Sequence, residues 1–239
     1  MATATASKRF TKATGLVDSK TLYTLEQAVS VLKQMPGTKF DETVALSVSL
    51  AIDPKKTDQV VRGIATLPHG TGKTRRVIVF CKGEKELQAK DAGADATGAA
   101  ELIEKVQGGW MDFDVAVATP DLMRDVSRLG KILGPRGLMP NPKSGTVTED
   151  VAKAVKEIKL GKVEFKMDKL SNIHLVIGKR SFDPQQLVAN GKVALEAIVR
   201  ARPSTTKGRM IKRMVLSSTM SPGIPIKIEG LETPTEAES

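Results

Sequence analysis

The chain contains one cysteine, Cys81, and two histidines, His69 and His174, among 239 residues. A single thiol excludes a disulfide framework and a cysteine-rich zinc site. Two imidazoles outside any HExxH-like context leave few metal ligands, so neither a metal nor a cofactor is expected. No run of about 18 apolar residues exists to span a bilayer, and Met1 to Ser7 lacks the apolar core of a signal peptide. These absences predict a chain of a reducing, cytoplasmic compartment with no membrane partner. Aromatics are scarce and scattered: Phe10, Tyr23, Phe40, Phe80, Trp110, Phe113, Phe165 and Phe182. A sheet that stacks bases on clustered rings is therefore not expected, and any RNA recognition has to proceed through shape, phosphate and sugar. Catalysis also finds little support. Ser217, Ser218 and Thr219 have no histidine close in sequence, and the acid pairs Asp41-Glu42 and Asp112/Asp114 read as solvated or capping carboxylates. No catalytic residue is assigned.

What the chain does have is positive charge, with a formal net of +10. It is concentrated: residues 160–228 hold 13 Lys and Arg against 4 Asp and Glu, a net of +9, whereas residues 229–239 carry four acids and no base. The C-terminal third therefore supplies the electrostatic attraction to a polyanion. The acidic tail, rich in Glu, Thr and Pro, reads as disordered.

Periodicity outlines the elements. Thr24 and Gln27 resemble a capping box ahead of Leu25, Ala28, Val29 and Leu32, and Pro36-Gly37 stops that helix. Between Thr43 and Ile52, apolar Val44, Leu46, Val48, Leu50 and Ile52 alternate with smaller or polar residues, the pattern of a strand covered on one face. Val163 to Asp168 alternates in the same way, leaving one polar face. Val77 to Cys81 and Val115 to Ala118 are continuous apolar runs bounded by helical patterns, as in strands buried on both faces. Thr119 and Thr148 are candidate helix caps. Ile173 to Ile177 and Ile211 to Ser217 read as strands, with a helix over 183–200 between them. Residues 67–159 thus resemble a small βαβ-type unit. Residues 1–66 and 160–228, each near the size where a lone core is marginal, read as two parts of one α+β domain.

Three segments carry candidate chemistry. Met214 to Gly223 ends an apolar strand in Ser217, Ser218, Thr219, Met220 and a Pro-Gly turn, just after Arg200, Arg202, Lys207, Arg209, Lys212 and Arg213. Hydroxyls donate to and accept from ribose 2′-OH groups, and the cations neutralise phosphates. A strand end beside a solvated basic face fits the same residues. Gly70-Thr71-Gly72-Lys73-Thr74 invites a phosphate-loop reading, and hence a nucleotide-dependent enzyme as the alternative function. Leu67 stands where that motif needs glycine, however, and the segment precedes a strand, so a hinge between domains fits it better. Leu133 to Thr148, with three prolines, three glycines, Arg136 and Lys143, is either a functional loop or a rigid surface excursion.

Several stretches in order along the chain resemble the L-one family of bacterial large-subunit ribosomal proteins, which belong to the mobile side stalk. They are Lys39 to Val44, Arg62-Gly63, Leu67 to Lys73, Leu133 to Thr148, Gly161 to Lys169, Ile177 to Lys179 and Leu216 to Gly223. The resemblance implies a discontinuous α+β first domain (1–66 and 160–228) that holds rRNA, and an inserted Rossmann-like domain (67–159). It also implies hinges at Pro68, Gly70, Gly72 and Gly161. The residues it implies for RNA contact are Lys39, Phe40, Thr43, Lys166, Asp168, Lys169, Ser217, Ser218, Thr219, Met220 and Gly223, with Asp168 accepting from a 2′-OH or orienting Lys166. The implied partners of a monomer associated with the ribosome are large-subunit rRNA, tRNA leaving from the exit site, and its own mRNA, which it represses. The family usually has Met-Gly-Pro-Gly where this chain has Met220-Ser221-Pro222-Gly223. A side chain at 221 is a problem if that residue has positive φ.

Overall fold

A Thr-x-x-Gln pair and one apolar stripe suffice to start the first long helix. The computed structural model describes residues 7–18, 20–54, 56, 59–203, 206 and 208–228, so Lys207 and the acidic tail lie outside the described residues. Helix α1 (Lys8–Thr14) is followed by α2 (Leu25–Gln34), where the Gln27 amide donates to Thr24 Oγ1 (3.2 Å) and the Thr24 amide to Gln27 Oε1 (3.0 Å). Leu25, Ala28, Val29 and Leu32 are its buried residues. Met35 turns extended ahead of Pro36, which disfavours helix at the residue before it.

Strand β1 (Thr43–Leu50) alternates as its sequence requires, with Val44, Leu46, Val48 and Leu50 buried and Thr43, Ala45, Ser47 and Ser49 half-buried. Next come β2 (Arg62–Thr66), β3 (Val77–Phe80), α3 (Glu84–Asp91), β4 (Ala96–Gly98), α4 (Ala100–Gln107) and β5 (Val115–Ala118). Short helices α5 (Met123–Val126) and α6 (Gly130–Leu133) precede α7 (Val151–Leu160), β6 (Lys162–Lys166), β7 (Asn172–Lys179), α8 (Pro184–Arg200), β8 (Ile211–Ser218) and β9 (Ile224–Ile226). The chain is a mixed α/β protein whose described residues form three sheets, ordered β7-β1-β8-β9, β2-β6 and β4-β3-β5.

The described residues fall into two compact units, one within 1–72 and 163–239 and the other Lys73–Lys162. In the first, antiparallel β7, β1, β8 and β9 present Leu46, Leu175 and Leu216 to a core shared with Leu25, Leu32, Leu187 and Ile198 of α2 and α8. The opposite sheet face carries Ser47, Ser49, His174 and Arg213 at half-buried or exposed positions. Two register shifts interrupt β1. One, between Val44 and Ala45, skips Ile177, and the other, between Ser49 and Leu50, leaves Lys212 without a partner. A bulge of this kind bends the strand and re-aims the extra side chain.

In the second unit, β3 lies between β4 and β5 with all pairing parallel. Ile78 and Phe80 join one apolar cluster with Leu102, Val106 and Leu129, while Val77 and Val79 join another with Ala89, Val155 and Ile158. A strand covered on both faces has no polar alternation to show, which accounts for the continuous Val77–Cys81 run. Cys81 is fully buried, and burial pushes its thiol up to about 11.

The candidate caps behave differently from expectation. Thr119 Oγ1 donates to Phe80 O (3.5 Å) and caps no helix, because Pro120–Leu122 is a short 3₁₀ turn. Thr148 accepts from the Asp150 amide (3.2 Å), while Asp150 itself holds the N-cap position of α7. The Pro/Gly-rich segment after Leu133 is tied down by Asn141. Its carbonyl accepts from the Ser144 and Thr146 amides (3.2 and 3.3 Å), and its amide donates to Thr146 Oγ1 (2.8 Å).

Candidate nucleic-acid interface

Continuing the β1 alternation backward by one step places Glu42 on the inward side, and its carboxylate is indeed 1% exposed. It accepts a hydrogen bond from Ser218 Oγ and lies 3.8 Å from Arg180 Nη1 and 4.0 Å from Arg9 Nη1. The Arg180 amide donates to the Glu42 carbonyl (2.8 Å), and Arg9 Nη2 donates to Met220 O (2.9 Å). One buried anion thus joins α1, the entrance of β1, the end of β7 and the end of β8. Lys33 braces the same corner by donating to the carbonyls of Arg180 and Phe182. Desolvation first, and the nearby Arg180 charge second, hold its ammonium below its usual range. Asp41 is the exposed member of the acid pair and accepts from the Ser181 amide (3.1 Å) and hydroxyl (2.8 Å). The reading of both acids as solvated or capping therefore fails for Glu42.

Above this anchor the outward groups gather. The Thr43 amide donates to Thr219 Oγ1 (3.1 Å), and Lys179 Nζ donates to Thr43 Oγ1 (2.9 Å). Lys39 is exposed, and Phe40 and Met220 are 54% and 49% exposed, too much for core residues. Gly223 is exposed, yet a Cβ on it would come 2.7 Å from Val215 Cγ1, so the backbone there must pass close to β8. Ser217 is half-buried opposite Ala45. Ser218 departs from expectation: it is 5% exposed and its hydroxyl is committed to Glu42, so it positions the strand end and does not face outward. Ser221 has no positive φ, the described non-glycine exception being Ser171. Its Oγ accepts from the Ser218 amide (2.8 Å), closing the turn in which the family's glycine usually sits.

Asp168 and Lys169 lie in the turn that leads into β7, at the other end of the four-stranded sheet, and Lys166 just before them ends β6 of the two-stranded sheet. Asn172 pairs with Ser49, six strand positions from Thr43 and hence roughly 20 Å away. Asp168 organises the turn that follows it. Its Oδ1 accepts from the Leu170 (2.8 Å) and Asn172 (2.7 Å) amides, which permits the positive φ of 64° at Ser171. The Asn172 amide is the main reason its carboxyl titrates below the ordinary range. Asp168 therefore serves the turn, not Lys166; Lys166 and Lys169 are exposed. The two ends are joined along the outer sheet face, where His174 Nδ1 meets Ser47 Oγ (3.0 Å) and His174 Nε2 lies 3.9 Å from Asp168 Oδ2. This Asp-His-Ser series is not a catalytic triad, because 3.9 Å is beyond a hydrogen bond and the imidazole stands exposed on an open face.

Gly70 to Thr74 forms no phosphate loop. It leads into strand β3 and opens no helix whose N-terminus could hold a phosphate, and Thr71 is buried. Instead Asn190 of α8 accepts from the His69 amide (3.1 Å) and donates to Gly70 O (3.0 Å) and Ile177 O (2.7 Å), fastening Pro68–Gly72 to the first unit. A Cβ at Gly72 would lie 2.7 Å from Lys179 Cγ. Gly161 adopts a left-handed conformation (φ 119°) that ends α7.

Comparison with known sequences decides the kinship. A sequence model of the ribosomal protein L1p/L10e family matches residues 32–222. The chain belongs to that family. Over 220 residues it is 55% identical to the large ribosomal subunit protein uL1 of Rhodococcus erythropolis, covering 92% of each chain. The same protein of Kosmotoga olearia is 55% identical, with 92% of this chain and 95% of that one covered. That of Nocardia farcinica is 56% identical, with 92% and 93% covered. The family match takes in every residue of the two ends of the sheet except Arg9 and Gly223. Sequence reasoning missed Arg9 and Arg180 because each meets Glu42 only through the fold. Glu42, read from sequence as a solvated or capping acid, was missed as well, although the β1 alternation carried one step back points it inward.

Proposed function

We propose that this chain is a non-enzymatic constituent of the large ribosomal subunit that binds the rRNA of the mobile side stalk near the tRNA exit site. The unit that carries both chain ends is the rRNA-holding domain. Its contact surface is the platform of Lys39, Phe40, Thr43, Ser217, Thr219, Met220 and Gly223, with Lys166, Asp168 and Lys169 as a second group. The observation that carries this reading is the exposed Phe40 and Met220 beside hydroxyls, all seated over the buried Glu42 anchor. An apolar ring and a thioether left in water next to hydroxyls suit a ribose-phosphate backbone packing on them. The Lys73–Lys162 unit is the inserted Rossmann-like domain, which moves about the two crossings of the chain and assists release of tRNA. Binding of a similar fold in its own mRNA represses translation.

A titration of a stalk-like structured RNA against a random duplex over a salt series tests this reading. Preference for the structured RNA that persists as salt rises is expected, because charge attraction alone is indifferent to RNA shape. Thr219→Ala removes the acceptor of the Thr43 amide and a platform hydroxyl, and weakens stalk RNA binding by about 1–3 kcal/mol. Equal affinity for both RNAs, or unchanged affinity in Thr219→Ala, overturns the assignment.

A further inference from the structure

The bulge in β8 concentrates charge in a way that no strand alternation would. Arg213 pairs with Ser49 and Ile211 with Leu50, so Lys212 is the extra residue, and Lys212 and Arg213 are consecutive yet both exposed. Both line a groove of about 480 Å³ on the outer sheet face, together with Ser47, Ser49, Asn172 and His174. No described carboxylate pairs with either cation. Asp168 stands beside the lining residue His174. Its carboxylate is already engaged by the Leu170 and Asn172 amides and lies 3.9 Å from the His174 ring. The groove therefore joins two cations that no described carboxylate pairs to two serine hydroxyls, an amide and an imidazole, set between the two ends of the platform.

We propose that this groove is a separate contact for an RNA backbone, in which Lys212 and Arg213 neutralise phosphates while Ser47, Ser49 and Asn172 hydrogen-bond phosphate or ribose oxygens. This rests on the RNA-binding reading above and adds a track that reads no base. Phosphates need cations, and ribose hydroxyls need groups able both to donate and to accept; the groove holds both kinds side by side. A strand leaving the Thr43–Thr219 end along this face would reach the Asp168 turn without leaving the sheet.

The test is binding of the full-length protein to polyuridylate, a strand without structure, over a salt series. The Lys212→Gln/Arg213→Gln double variant is compared with the unaltered chain and with a charge-matched control, Lys105→Gln/Lys131→Gln, at exposed positions of the other unit. Each phosphate contact on a single strand contributes about 0.7 to the slope of log affinity against log salt, so the groove variant should flatten it by about 1.4 and the control by much less. An unchanged melting temperature checks folding, and Lys212→Arg/Arg213→Lys should restore the slope. Three results overturn the proposal: no salt-dependent binding by the unaltered chain, an unchanged slope in the groove variant, or an equal loss in the control. The platform is scored separately, by Thr219→Ala against the stalk-like RNA. A lost Thr219 effect with a flattened polyuridylate slope removes the platform and keeps the groove, and the opposite pair of results does the reverse.

Discussion

Glu42 shows how one buried side chain can hold several segments of a surface in place. Its carboxylate has left water, and the return comes from the Ser218 hydroxyl and from Arg9 and Arg180. Glu42→Ala strands both guanidinium groups at a half-closed corner, and breaking a buried pair in this way costs about 3–5 kcal/mol. Denaturant unfolding should show that loss, and RNA affinity should fall with it even though Glu42 is 1% exposed. Asp168 gives the matching statement on pH. Its folded-state pKa lies below the ordinary 3.8, so the ionised form is the one the turn favours. The stabilisation is present above 3.8 and is lost as pH falls through the lowered value. Hydrogen exchange at the Leu170 and Asn172 amides should accelerate in that acid range, and Asp168→Asn should abolish the pH dependence.

Elements with one buried face were legible from sequence because burial imposes a period. The alternation of β1 and the stripe of α2 follow from Val44, Leu46 and Val48 and from Leu25, Ala28 and Leu32 having a single core to enter. What sequence could not place were the bulges, since the skipped partners Ile177 and Lys212 are chosen by strands from distant parts of the chain. The helix caps proposed at Thr119 and Thr148 also went elsewhere, because a hydroxyl takes whichever backbone group the local turn offers. The β2-β6 pair carries its own prediction. A Cβ on Gly63 would stand 2.8 Å from Phe165 Cζ, and that ring is 2% exposed and held in the core. Gly63→Ala should therefore lower stability by about 1–3 kcal/mol through overpacking, measurable by thermal melting.

At the scale of the whole molecule, the apolar clusters respect the division into two units. One cluster draws only on residues up to Leu67 and from Val163 onward, and the other two lie wholly between Val77 and Ile158. Replacing residues 73–162 with a flexible Gly-Ser linker should thus leave a chain that unfolds cooperatively and still prefers the stalk-like RNA. Calorimetry and the same titration check both outcomes. The crossings lie at Gly72/Lys73 and Lys162/Val163, beyond the expected boundaries at 66/67 and 159/160. At the first crossing the Asn190 side chain fastens the Pro68–Gly72 segment to α8.

The amino-acid order by itself determined the strand and helix periods, the cationic C-terminal third and the family, because these depend on local spacing, composition and ordered motifs. Only the tertiary structure decided that Ser218 turns inward, that Glu42 is the anchor, that Asp168 serves a turn and that Lys212 stands beside Arg213. Each of those outcomes depends on a partner distant along the chain, and pairing between distant segments is set by burial and register in three dimensions.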